Sequence, residues 1–348
     1  MNKKKPRLAV IAGAAVLGSV LLLQSACGDP NGPSGLIVVP AVPTGEEAPQ
    51  LFRMNPDGTG LQQLTQGTGV GLPTDANDFP ALSRDRKTLV FASGRSFPPS
   101  STSGDPDPMY RIAYVMDATG GSARRLTNLD AKHYLEYPDD ISPDGTWAVI
   151  EAANDGTNVP GILAGITRLY KAKMDGSSCE LLLPADRLSQ GGANLGCATF
   201  TGDGKSLLFL ADDGMQCEIW KLDLATQRTT QITHEANVGS VVSWRIPMIA
   251  PGNDKLYFAT WKHDPSSSSV NVVNMDGTGE ATVLTISRDP VSLGLMEDRF
   301  ALSPEGRAFA FVYGAGQQSV VVTGLDGSGM KTIYPPSIFV GWGTLAWR

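Results

Sequence analysis

Histidine and cysteine are scarce in this chain of 348 residues, which has three of the first and four of the second. His133, His234 and His263 stand far apart, and no pair has a ligand spacing such as His-x-x-x-His, so no zinc motif is present. A Gly-x-Ser-x-Gly pentapeptide is also missing, as are a P-loop and a dinucleotide fingerprint, which removes the usual signatures of serine hydrolases and nucleotide-binding enzymes. Charge is sparse at 18% of residues, and 28 Lys and Arg stand against 35 Asp and Glu. Four of those bases (Lys3, Lys4, Lys5 and Arg7) precede any acid; without them the balance is 24 bases to 35 acids, or −11. An acidic chain with no later basic run is a poor nucleic-acid binder. After Leu23 no stretch is long and apolar enough to cross a membrane as a helix.

What is abundant is glycine (39) and proline (24), set against a 41% hydrophobic content that supports a sizeable core. That combination points to many turns and few long helices. The N-terminus has a positive segment, Lys3 to Arg7, followed by an apolar run from Leu8 to Leu23, the layout of an export signal. Gln24-Ser25-Ala26-Cys27 ends it. Gly28 to Ser34 then reads as a short flexible tether. The expected division is a signal over 1–26, a cysteine and tether over 27–34, and a folded unit over 35–348.

Within 35–348 one unit recurs. A strand ending in Asp and a Gly-rich turn, followed by a short strand ending in Leu-Thr, appears at Leu51 to Gly58 with Leu64-Thr65 and at Ile112 to Asp117 with Leu126-Thr127. It returns at Leu169 to Gly176, Ile219 to Asp223, Val272 to Gly277 and Val321 to Gly327. Between copies lies a tight turn and then an apolar strand. Ser142-Pro143-Asp144-Gly145 before Trp147 to Ile150 is the cleanest case, and Ser303-Pro304-Glu305-Gly306 before Phe309 to Val312 matches it. Variants start at Ser83, Thr201 and Ala250. Pro presets φ and Gly accepts positive φ, so these are turns; the runs around them are β-branched and aromatic, as strands should be.

Four strands per repeat, at roughly 50 residues per repeat, give a six-bladed all-β propeller. Calling the strands A to D from the Ser-Pro-Asp-Gly turn, the first blade lacks its A strand. Gly343 to Arg348 ends the sequence as an A strand cut before its turn, so it is expected to pair into that blade and close the ring.

The combination of Ser-Pro-Asp-Gly, Met-Asp-x-x-Gly and Arg-Leu-Thr resembles the WD-related repeat of TolB-type β-propellers. The TolB family adds an N-terminal α/β domain, for which residues 1–34 leave no room, so a direct part in a Tol-Pal system does not follow. Ser25-Ala26-Cys27 resembles the bacterial lipoprotein lipobox, with Gln24 where that family usually has Leu. The lipobox resemblance implies a diacylglycerol on Cys27 and attachment to the bacterial cell envelope, at the outer membrane; ordinary cleavage after Ala26 is the other reading.

Candidate site residues follow from strand placement. Acids precede several A strands and are expected at the channel mouth: Asp75, Asp78, Glu136, Asp139, Asp140, Glu297 and Asp298, with His133 beside them. They serve either as a rim that attracts a basic peptide or cation, or as a solvated acidic edge. The repeated Asp-Gly pairs read as turn formers. Cys197 and Cys217 would share one rim with a strand between them, roughly 9–10 Å apart, so a bridge needs one of them in a bent loop; separate thiols are the alternative. No catalytic residue, metal ligand or cofactor is assigned. The expected function is non-catalytic, with a lipid-anchored propeller binding an envelope protein or peptide segment, or a glycan, through its loop face. Oligogalacturonate-lyase-type propellers, with a channel metal, supply the enzymatic alternative.

Overall fold

The computed structural model describes residues 32–67, 75–95, 110–129, 133–154, 167–183, 194–212, 217–234, 247–262, 267–287, 300–313, 319–334 and 344–348. All regular structure among them is β. Blade 1 holds β1 (Ile37–Ala41), β2 (Gln50–Met54) and β3 (Gln62–Gln63); blade 2 holds β4 (Asn77–Leu82), β5 (Thr88–Ser93), β6 (Ile112–Asp117) and β7 (Arg124–Arg125). Blade 3 is β8 (His133–Ile141), β9 (Trp147–Asn154), β10 (Thr167–Lys173) and β11 (Cys179–Leu181). Blade 4 is β12 (Asn194–Phe200), β13 (Ser206–Asp212), β14 (Cys217–Asp223) and β15 (Thr229–Gln231). Blade 5 is β16 (Pro247–Ile249), β17 (Lys255–Lys262), β18 (Ser267–Asn274) and β19 (Ala281–Ser287). Blade 6 is β20 (Phe300–Leu302), β21 (Ala308–Tyr313), β22 (Ser319–Gly324) and β23 (Lys331–Tyr334). The last strand, β24 (Ala346–Trp347), pairs with β1 as the fourth strand of blade 1, Ile37 facing Trp347 and Val38 facing Ala346. The six-bladed propeller closed by its last strand is therefore what the repeat implied.

The repeated motifs make the turns for stated reasons. In blade 3, Ser142 Oγ accepts the Trp147 amide at 2.9 Å and donates to Asp144 at 2.6 Å, while Asp144 accepts the Thr146 amide at 3.0 Å. Gly145 takes a φ of 71°, where a Cβ is disfavoured. Thr201 and Ser303 repeat the hydroxyl's role. After the Met-Asp strand the aspartate caps its own turn: Asp57 accepts from Thr59, Asp117 from Thr119 and Asp276 from Thr278, each through amide and hydroxyl. Those hydrogen bonds hold the three carboxyls below the usual range. The Leu-Thr ending is a latch: Thr65 Oγ1 accepts the Leu51 amide and donates to Gln50, and Thr233 does the same with Ile219 and Glu218.

Each blade face is covered by its neighbour, which explains apolar runs without alternation. Phe309 and Phe311 pack with Met248 and Tyr257 of blade 5, while Ala308, Ala310 and Val312 turn the other way, toward Ile37 and Val39 of blade 1. Six such clusters join blades 1–2, 2–3, 3–4, 4–5, 5–6 and 6–1.

Candidate functional site

The A strands β24, β4, β8, β12, β16 and β20 surround a cavity of about 300 Å3 at the end of the channel where the A–B turns lie. Its charged lining is Arg84, Arg86, Asp139, Asp140 and Arg348. The strands carrying the acids are irregular. β4 shifts register between Asp78 and Ala81, β8 between Pro138 and Asp140, and β12 between Gly196 and Thr199. Phe79 and Cys197 sit in these bulges at φ 48° and 51°. Bulges re-aim side chains, and here Phe79 stacks on Tyr137 of the next blade with centroids 4.1 Å apart.

Asp140 is buried and joins three blades. Its Oδ2 accepts the Phe200 amide and the Thr199 hydroxyl, both at 2.9 Å, and its Oδ1 accepts Arg348 at 2.7 Å. Asp139 accepts the Ala198 amide at 3.0 Å. Glu151, on β9, accepts the Cys197 amide and the Thr167 hydroxyl. Adjacent amides of the β12 bulge are thus held by adjacent carboxylates of blade 3. Burial raises both carboxyls, Asp139 well above its ordinary range with the Glu151 and Asp140 charges adding to the effect, and Glu151 to about 7. Gly196 makes room, because a Cβ there would lie 2.0 Å from Glu151 Oε2. Its φ is not in the left-handed region, so Gly196→Ala meets only the carboxylate. The far end of Glu151 can swing away, but the Cys197 amide and Thr167 hydroxyl then lose their acceptor, at a cost of about 1–3 kcal/mol. The expected result is a modest loss of stability in urea together with loss of the Glu151 contact in a crystal structure of the variant.

The other acids expected at a rim are structural. Asp78 is buried in a bidentate pair with Arg111 at 2.9–3.0 Å. Glu136 is buried, bonding the Ala113 amide and the Thr127 hydroxyl, with Arg125 at 3.8 Å. Asp75 is buried as well, and its carbonyl accepts Gln50 at 2.8 Å. An open acidic rim is therefore corrected for these residues: Asp78 ties two strands of blade 2 together through Arg111, Glu136 reaches from blade 3 into blade 2, Asp75 is buried, and Asp139 and Asp140 lie deeper, toward the A–B turns. Glu297 and Asp298 fall outside the described residues, as does the side chain of His133, whose backbone opens β8.

The expected bridge between Cys197 and Cys217 is likewise corrected. Cys197 lies in the β12 bulge, between residues facing Leu210 and Leu208, whereas Cys217 faces Asp212. They are offset along β13 as well as separated by it, beyond the ~7 Å a disulfide tolerates, and neither is in a disulfide. Arg84, Arg348 and Glu151 were not singled out from sequence. Arg84 and Arg86 did carry a signal, standing where other blades have Pro and Gly.

Among solved structures, TolB from Acinetobacter baumannii superposes with a TM-score of 0.64 at 16% identity, over 90% of this chain and 66% of its own. The chain thus spans just under two thirds of that structure. A putative TolB from Agrobacterium tumefaciens gives 0.52 at 17% identity, over 73% and 90%. The fold is a TolB-type β-propeller. An oligogalacturonate lyase from Vibrio parahaemolyticus shares it more distantly, at 0.51 and 10% identity over 86% and 79%. No family model and no curated protein matches the chain.

Proposed function

We propose that this TolB-type propeller is a non-catalytic binding protein of the bacterial cell envelope, anchored through lipid on Cys27 and engaging a protein segment at its loop face. One observation carries the reading: the recurrent polar residues of the blades are used to build the ring. The turn aspartates hold their own turns, Asp78 ties β4 to Arg111 just before β6, and Glu136 and Asp140 hold strands of the adjoining blades. Such a rigid frame suits the display of loops. Among the described residues no group of three His, Cys, Asp or Glu side chains is placed to hold a metal ion.

Two measurements test it. Cys27→Ser should move the protein from the membrane to the soluble fraction; unchanged fractionation would refute the anchor. A photo-crosslinker at the exposed His234, on the loop face, should capture a discrete envelope protein, while one at the exposed Asp144 on the opposite face should not. Stoichiometric channel metal with release of product from a polysaccharide would replace this reading with the lyase.

A further inference from the structure

The A–B turns of four blades share a pattern. The residue two places after the Pro or Gly is Gly145, Gly204, Asn253 or Gly306, at φ 71°, 68°, 56° and 69°. Blade 2 reads Ser83-Arg84-Asp85-Arg86 instead, and Arg86 takes φ 62°. A long L side chain has no conformational reason to be there. A strained non-glycine residue that persists is a pointer to function.

Both arginines line the channel cavity, and Arg348 joins them from β24's blade. Arg84 reaches past blade 3 to the carbonyls of Gly202 at 3.2 Å and Thr201 at 3.4 Å in blade 4, which are long contacts for a guanidinium. Arg84 and Arg348 repel one another, and both are attracted to the single carboxylate of Asp140. Asp140's other oxygen is committed to Thr199 and Phe200, Asp139 is turned to the Ala198 amide, and Asp85 is turned into its own turn. A chain with net charge −7 therefore gathers an excess of positive charge in one cavity. Guanidinium forks match phosphate and carboxylate oxygens in pairs.

We propose that the turn-face mouth of the central channel is a binding site for a small oxyanion, a phosphate or carboxylate group, held by Arg84, Arg86 and Arg348. The site lies on the face opposite the loops and does not depend on what the loops bind.

The test is calorimetric titration of the full-length protein in detergent with inorganic phosphate and with citrate, at ionic strength fixed by sodium chloride. Saturable one-to-one binding of at least one anion is expected. Arg84→Gln and Arg86→Gly should each weaken it by about tenfold or more. Arg86→Gly carries its own control: glycine suits φ 62°, so the melting temperature should hold or rise while affinity falls. Absence of saturable binding by both anions, or wild-type affinity in both variants, would overturn the proposal. Vesicles separate the sources. Displacement of the bound anion by phosphatidylglycerol but not phosphatidylcholine assigns a lipid headgroup, and no displacement by either assigns a soluble anion.

Discussion

A chain ending at residue 343 should lose the cooperative melting transition of the intact protein, and Trp347→Ala alone should lower the melting temperature by several degrees. Trp347 is 1% exposed and packs with Ile37, Leu345 and Tyr334, so its side chain bridges blades 1 and 6. Its indole donates to Ser34 O at 2.9 Å, and Arg348 N donates to Leu36 O at 3.1 Å. Replacing a buried Trp by Ala costs about 3–5 kcal/mol. For a folded unit of this size that is on the order of 5–8 °C. Truncation does more. It uncovers the β1 edge, removes the Arg348–Asp140 bridge across the channel and opens the blade 6–blade 1 core to water. A closed ring has no other way to cover those edges. Calorimetry decides: an unchanged transition in the truncated chain would mean that β24 contributes nothing to closure.

The fold was legible in the sequence because its determinants are local and repeated. Ser142 to Gly145 makes its turn through contacts within five residues, and five blades show some version of it. The closing strand was legible from counting, since one blade lacked an A strand and Leu345 and Trp347 supplied it. The site was read less well, because position in a strand does not say which way a bulged residue faces. Asp78 and Glu136 read as rim acids ahead of their A strands, yet they lie within β4 and β8, Asp78 bound to Arg111 of its own blade and Glu136 to Ala113 of the neighbouring one. Glu151 lies in an apolar strand, two residues after Val149, and nothing local marks it as the partner of Asp139. Gly196 leaves space for the Glu151 carboxylate, a role that depends on the facing blade and that its own neighbours in sequence do not announce. These contacts join blades 3 and 4 across some 45 residues of sequence, and no pattern of period two reports them.

That carboxylate pair sets the second expectation, which is a stability that declines as pH rises toward neutrality and a variant in which the decline is much reduced. Glu151 has an ordinary value of 4.5 and is pushed to about 7 in the folded protein, chiefly by burial. The folded state therefore binds the proton more tightly than the unfolded chain does. The stability this supplies is complete below about pH 4.5 and is lost as pH passes through 7. At 1.36 kcal/mol per pH unit, the rise from 4.5 to about 7 corresponds to roughly 3 kcal/mol. Asp139, also raised, shares the window, because the two carboxylates repel when both are ionised. The capped turn aspartates act oppositely and lower down, their contribution being lost only as pH falls below the ordinary 3.8. The two groups thus separate on the pH axis. Glu151→Gln keeps an acceptor for the Cys197 amide and has no proton to lose. Urea unfolding at pH 5 and pH 8 should show the intact protein less stable at pH 8 and the variant with a clearly smaller difference, the remainder coming from Asp139, which burial still raises. A variant that keeps the full decline would show that Glu151 is not the titrating group.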